Sequence, residues 1–323
     1  MTHFARLITA AVLGSLTIIS PAGAQTYPSR PIHIIVPSAP GGTLDLIGRV
    51  LGQKFSESLK QPVIIDNRPG ASSIIAAVQT AHSAPDGYTV LIGSVGAFAM
   101  NVVTFKKLPY RVSDFAPISI IGDTEYLLAV HPSVPARTLQ EFIALAKARP
   151  GEITYASFGL GGVSHMFAEA FSLQAGVKML HVPYKSAPDA MNGLVGGQVM
   201  ALFDAMPVML PQARDNRVRV LANGADRRSP VAPEIPTFTE AGLPGFTSTG
   251  WFALVAPANT PRDVVALLHA ETVKALAEPD VRKRFESIGL RVIGSSPEEL
   301  AAQIRRDIKK YGEVARAANI QIE

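Results

Sequence analysis

Short β-branched runs alternate with helix-length amphipathic segments along this chain, a rhythm that restricts it to folds in which helices cover a parallel sheet. Pro31–Val36, Pro62–Asp66 and Tyr88–Ile92 predict strands, with helices Leu44–Leu59 and Ile74–Ala81 between them. The rhythm restarts at strand Tyr126–Val130 and runs on through helix Leu139–Ala148, strand Ile153–Ala156, helix Val163–Gln174, strand Lys178–Val182, helix Ala187–Gly193 and strand Met200–Phe203. A final stretch predicts a strand around Trp251–Val255, helices Arg262–Ala277 and Asp280–Ile288, strand Arg291–Ile293 and helix Pro297–Ala317. At 323 residues the chain has room for about two such units.

Pro230, Pro233, Pro236 and Pro244, with Pro211 upstream, break any helix in that region and fit a connection between lobes. We therefore expect two α/β lobes, residues 25–125 with 251–323 and residues 126–250. Extended crossovers near Asp123–Glu125 and Thr247–Trp251 would join them. The cleft would lie between the carboxyl ends of the two sheets, where open parallel sheets bind ligands.

The N-terminus has the three-part plan of a secretory leader: His3 and Arg6, the apolar run Leu7–Ile19, and Pro21-Ala-Gly-Ala24. The alternative is a retained anchor, but the apolar run is shorter than the about 20 residues a span requires. Residues 1–24 are thus expected to be a cleaved signal peptide. With no cysteine in the chain, a disulfide framework, a lipidated cysteine and zinc-thiolate sites are excluded, which points to an unanchored periplasmic protein. A net charge of +4, without a concentrated basic stripe, gives no footprint for nucleic acid.

The loops at the strand ends carry the functional signal. Ser38-Ala39-Pro40-Gly41-Gly42-Thr43-Leu44-Asp45 follows the first strand and opens a helix, and Ser157-Phe158-Gly159-Leu160-Gly161-Gly162-Val163-Ser164-His165 does so in the second unit. Asn67–Ser73 precedes another helix, and Gly93-Ser94-Val95-Gly96 ends the third strand. Glycines let backbone approach a ligand, and helix starts offer unpaired N–H donors at the positive end of the helix dipole. Two such starts facing one cleft favour a small carboxylate, with Ser94, Ser157 and Ser164 as hydroxyl partners. The plainer reading of the first loop is a tight turn with Thr43 or Asp45 as helix cap. Neither loop matches G-x-G-x-x-G or G-x-x-x-x-G-K-[ST], so no nucleotide cofactor is expected.

Catalysis finds little support, since no G-x-S-x-G and no H-E-x-x-H is present. His165 and Glu169 have i, i+4 spacing, which is two ligands and too few for a metal site. His165 reads either as a helix-start residue or as a ligand contact, and Asp204, at the end of a strand after Phe203, either as a cleft acceptor or as a cap. His33 and His181 read as structural, and Trp251 as hinge packing.

Tyr27-Pro-Ser-Arg-Pro-Ile32, Ala39-Pro-Gly-Gly42 with Asp45 and Arg49, Asn67-Arg-Pro-Gly-Ala71, Pro85-Asp-Gly-Tyr-Thr89, Leu108-Pro-Tyr110, His181-Val-Pro-Tyr-Lys185, Gly196-Gly-Gln-Val199 and Glu240-Ala-Gly-Leu-Pro-Gly245 together resemble the Bug receptors of the tripartite tricarboxylate transporter family. The resemblance covers essentially the whole mature chain. It implies a two-lobed periplasmic-binding-protein fold of type II, a Venus flytrap closing on a small carboxylate and, as a monomer, handing it to a membrane permease. A dicarboxylate, tricarboxylate, aromatic carboxylate or amino acid would suit such a site. It implies no enzyme activity and no cofactor. Ligand contacts carry over to Ser38, Ala39, Gly41, Gly42, Thr43, Asp45, Ser94, Gly96, Ser157, Phe158, Gly159, Gly161, Gly162, Ser164, His165, Phe203 and Asp204. Ser38 stands where the family often has Phe, Leu44 where Thr is common, and Ser72, Ser73 and Ala76 replace glycines. The alternatives are a receptor presenting its carboxylate to a membrane histidine kinase, and an enzyme on the same scaffold.

Overall fold

A computed structural model describes residues 27–323, so the expected leader lies outside the described residues. The first unit is β1 (Ile32–Val36), α1 (Thr43–Leu59), β2 (Val63–Asn67), α2 (Ile74–Ala81), β3 (Thr89–Ser94), a π-helical turn at Gly96–Met100 and α3 (Asn101–Thr104). The long β4 (Phe115–Val130) leads to α4 (Leu139–Ala148), β5 (Thr154–Ser157), α5 (Val163–Ala175), β6 (Leu180–Pro183), α6 (Ala187–Val195), β7 (Ala201–Ala205), α7 (Met206–Arg214) and β8 (Arg219–Asn223). The chain returns through β9 (Thr249–Pro257) to α8 (Arg262–Ala277), α9 (Pro279–Ser287), β10 (Leu290–Val292) and α10 (Pro297–Ala317).

In the first sheet β1 lies parallel between β2 and β3, β9 pairs antiparallel with both β3 and β4, and β10 takes the other edge of β4. In the second sheet Tyr126–Val130 of β4 pairs with β7 and β8, and β5 lies parallel between β6 and β7. The two crossovers are not separate linkers. Asp123 pairs with Trp251 and Glu125 with Thr249, so the polar residues that look like a break are held inside a continuous ladder. Because β4 is shared, β1 and β3 run toward the second sheet, and β5, β6 and β7 run toward the first. Their carboxyl ends therefore face each other.

α7 and β8 depart from the sequence reading. Pro211 lies inside α7 rather than in a broken connection, and Pro207 occupies the first turn, where its missing N–H is not needed. Residues 229–245 contain no helix or strand, as the prolines predict.

The sheets hold because each buries both faces. Phe171, Phe203, Phe238 and Phe246 form one aromatic cluster with ring centroids from 4.6 to 6.2 Å apart, each ring contributing about 1.5–3 kcal/mol of burial. The same apolar core continues through Tyr126, Phe167 and Trp251 to Tyr311 of α10, so the C-terminal helix ties the two sheets together. Trp251 is buried and donates from Nε1 to Asp307 Oδ2 at 2.7 Å, which places it in packing at the crossing.

Strain is concentrated before α2, where Ala71, Ser72 and Ser73 all adopt left-handed backbone with φ of 45, 51 and 73°. L-residues there cost about 1 kcal/mol each. Ala71→Gly is accordingly expected to raise unfolding stability by about 0.5–1 kcal/mol after allowing for glycine's greater chain entropy, measured by urea denaturation.

Candidate functional site

The loops after β1 and β5 are built alike. In the first, Gly42 N–H donates to Ala39 O across a turn with Pro40 and Gly41 at its centre, and Gly41 has φ +87°. That is the type II turn, which favours proline followed by a glycine at positive φ. In the second, Gly162 N–H donates to Gly159 O and Gly161 has φ +67°. Gly42 and Gly162 then cap α1 and α5 with nearly identical backbone angles, φ −78°, ψ 169° and φ −72°, ψ 176°.

The match extends to the side chains that brace each turn. Gly41 N–H donates to Asp45 Oδ2 at 2.9 Å, and Gly161 N–H donates to His165 Nδ1 at 3.0 Å. In both loops the third helical residue reaches back to the residue before the cap. Asp45 also accepts from Arg49 Nε and Asn67 Nδ2, and Asn67 in turn donates to Ser38 O. The Arg49 guanidinium foremost, with the Gly41 and Asn67 donors, lowers the Asp45 carboxyl to about 2 against the opposing effect of burial. Asp45 thus shapes its loop and does not cap α1.

His165 must be neutral to accept at Nδ1. Burial, with the adjacent His181 imidazole, lowers it to about 3. Its ring stacks on His181 at 3.9 Å, and both stack on Tyr155. His181 joins Ser157 Oγ at 2.6 Å, while Ser164 Oγ accepts from Phe158 N–H. Glu169 hydrogen-bonds Tyr155, 4.0 Å from His165 Nε2. No group of three or more metal-ligating side chains occurs among the described residues.

The helix starts themselves are open. Elsewhere Thr138, Ser186 and Ser296 cap α4, α6 and α10 by accepting from the third helical N–H. α1 and α5, like α2, α7, α8 and α9, have no side-chain cap; what sets the pair apart is the matched glycine turn in front of each. The first intrahelical bonds are Leu46 N–H to Gly42 O and Met166 N–H to Gly162 O. Amides of Thr43, Leu44 and Asp45, and of Val163, Ser164 and His165, precede the ladder and are left at the positive helix ends.

Contacts cross the gap between the sheets. A Cβ on Gly96 would lie 3.2 Å from Val163 Cγ2 and 3.3 Å from Ser94 Oγ, and one on Gly159 3.7 Å from Ser72 Oγ. One on Gly161 would strike Ile322 Cδ1 at 2.6 Å and Thr104 Oγ1 at 2.7 Å. The second loop is therefore seated against the first unit. Ser72, Thr104 and Ile322 were not legible as neighbours of this loop, because nothing local marks a contact between positions so far apart in sequence.

Two of the sequence-predicted residues carry buried polar atoms without a partner, Ser38 Oγ and Asp204 Oδ2. Asp204 Oδ1 accepts from Ala205 N–H, and burial raises the carboxyl to about 7. The folded protein holds that proton more tightly than the unfolded chain. Asp204's contribution to stability is full below about pH 4 and is lost as pH rises through 7. Asp204→Asn should therefore become more stable than wild type by about 1–3 kcal/mol at pH 8, with no such gain at pH 4. Thermal melts across that range check it. Phe203, the neighbouring candidate, is 1% exposed and its ring stacks on Phe238 in the aromatic cluster.

Two α/β sheets joined by paired crossing strands, with open helix starts brought together from both, define a two-lobed binding protein. The family profile described as tripartite tricarboxylate transporter family receptor matches residues 47–320, and the chain belongs to that family. It is 36% identical to protein BugT of Bordetella pertussis over 308 residues, 95% of this chain and 94% of BugT. Among solved structures it resembles Rpa4515 of R. palustris with adipate at TM-score 0.84 and 32% identity, covering 91% of this chain and 99% of that one. MatC from Rhodopseudomonas palustris with bound malate matches at TM-score 0.80 and 33% identity, over 89% and 99%.

Proposed function

We propose that this protein is a periplasmic receptor that captures a small carboxylate by closing two lobes and delivers it to the permease of a tripartite tricarboxylate transporter. The lobes are residues 25–125 with 251–323, and residues 126–250, and residues 1–24 are a cleaved export signal. No helix among the described residues is long and apolar enough to cross a membrane.

The observation that carries the reading is the matched pair of uncapped helix starts. One carboxylate oxygen set takes amides from Thr43 to Asp45, and the other takes those from Val163 to His165. Ser38, Ser94 and Ser164 supply hydroxyls, and Asp204 supplies a carboxyl group whose Oδ2 has no partner within the protein. The Asp45 and His165 side chains shape the loops, and only the amides of these residues touch ligand. Adipate in one relative and malate in another support a dicarboxylate. Affinity depends on both lobes, because closure adds the second helix start and expels water.

The test is a thermal-shift screen with adipate, malate, citrate, benzoate and glutamate on protein stripped by denaturation and refolding. A ligand at 100 times its Kd stabilises by about 2.7 kcal/mol, and one class is expected to raise the midpoint without being consumed. No shift with any carboxylate, in protein that refolds cooperatively, would overturn the proposal.

A further inference from the structure

A cavity of about 580 Å³ opens at the crossing strands and shares no lining residue with the loops 38–45, 94–96 or 157–165. Its walls come from β4, from β9 with Thr247 before it, from the turn after β8, and from the α9–β10 corner. That volume lies within the roughly 300–1,000 Å³ range of small-molecule sites.

Its charges are unevenly matched. Asp123 and Arg291 satisfy each other through a two-pronged pair, with Arg291 Nε donating to Asp123 Oδ1 at 2.9 Å. Asp226, Glu286, Arg227 and Lys283 are exposed around the mouth and balance in sign. Glu125 is left over. Ser229 and Asn223 approach its carboxyl and burial raises its pKa, yet Glu125 Oε2 is buried and completes no hydrogen bond, and neither does Asn223 Nδ2. Leu290, Val231 and Pro230 supply apolar walls around it.

We infer that this cavity is a second ligand site, taking a primary amine with a compact apolar body, its ammonium on the Glu125 carboxylate and its body against Leu290 and Val231. An ammonium meets that carboxylate with a charge-assisted hydrogen bond, whereas an anion would face Glu125 unscreened. A balanced mouth admits such a ligand without adding a second recognition point.

The test is calorimetric titration of the full protein with 2-phenylethylamine, and with 2-phenylethanol as its uncharged isostere. The expected result is saturable one-to-one amine binding that Glu125→Gln weakens about tenfold or more. The alcohol binds more weakly and is insensitive to that substitution. Asp204→Asn, in the carboxylate cleft, leaves amine binding unchanged. Should Glu125→Gln fail to fold, Lys283→Glu serves instead and should strengthen amine binding about threefold by removing a mouth cation. Absence of amine binding, or its loss in Asp204→Asn but not in Glu125→Gln, overturns the inference. Neither result bears on carboxylate capture, which is measured separately.

Discussion

Gly161→Val is expected to weaken carboxylate binding by about 100-fold or more while each sheet stays folded. Gly161 has φ +67°, which L-residues adopt at a cost of about 1–2 kcal/mol. Its added Cβ would also lie 2.7 and 2.9 Å from Thr104 Oγ1 and Cβ, and 2.6 Å from Ile322 Cδ1. Thr104 cannot retreat, being fully buried at the end of α3 with its hydroxyl donating to Met100 O. The clash falls where the second loop meets the first unit, so the protein relieves it by holding the lobes apart. A hundredfold loss corresponds to about 2.7 kcal/mol, the scale expected when one helix start no longer reaches the ligand. Calorimetry gives the affinity and circular dichroism the fold. Gly161→Ala with Thr104→Ala should recover part of the loss, which a general folding defect would not allow. Wild-type affinity in Gly161→Val would mean that this contact takes no part in closure.

The second large effect is expected for Asp45→Ala, in both stability and binding. Removing the carboxylate leaves Gly41 N–H and Asn67 Nδ2 without their acceptor, and because Gly41 is exposed and Asn67 half-buried, water offsets part of the loss, leaving a cost of about 1 kcal/mol for each. Because the Asp45 carboxyl is held near 2, below the unfolded value of 3.8, its contribution is full above about pH 4 and is lost as pH falls through 2. The stability gap between wild type and Asp45→Ala should thus be about 1–2 kcal/mol at pH 7 and should narrow on acidification. Asp45→Asn keeps one acceptor oxygen and should lose less. Urea denaturation at pH 7 and pH 3 measures both. A gap that stays constant with pH would mean that the carboxylate's charge is not what braces the loop. Carboxylate affinity should fall in parallel, since the first helix start loses its shape.

Much of this architecture was legible in the sequence, for identifiable reasons. α2, α4, α8 and α10 begin and end where their apolar periodicity does, helped in α4 and α10 by Thr138 with Glu141 and Ser296 with Glu299, reciprocal caps that fix the first turn. The two glycine loops were legible because a doubled glycine before a helix implies both a left-handed turn and an open helix start. The continuity of β4 was not, since Asp123 and Glu125 look like a break until β9 is known to pair with them. α7 was hidden by Pro207 and Pro211, whose penalty its packing in the second lobe overrides.

The candidate site is legible in the sequence as a pair of loops, and the roles of single side chains within them are less so. Adjacent strand residues point to opposite faces, and that alternation separates Phe203, stacked in the aromatic cluster, from Asp204. Asp45 and His165 looked like ligand contacts, yet both spend their acceptors on the turn that precedes their helix. Their equivalence shows only when the two loops are compared in three dimensions, because a carboxylate and an imidazole share no sequence signature.

The most direct measurement is a crystal structure of the protein with its carboxylate bound. Carboxylate oxygens are expected within hydrogen-bonding distance, about 2.7–3.1 Å, of amides in the first turns of both α1 and α5, with the lobes closed. A ligand held by charged side chains away from those amides, or engaged by one helix start with the other empty, would contradict it.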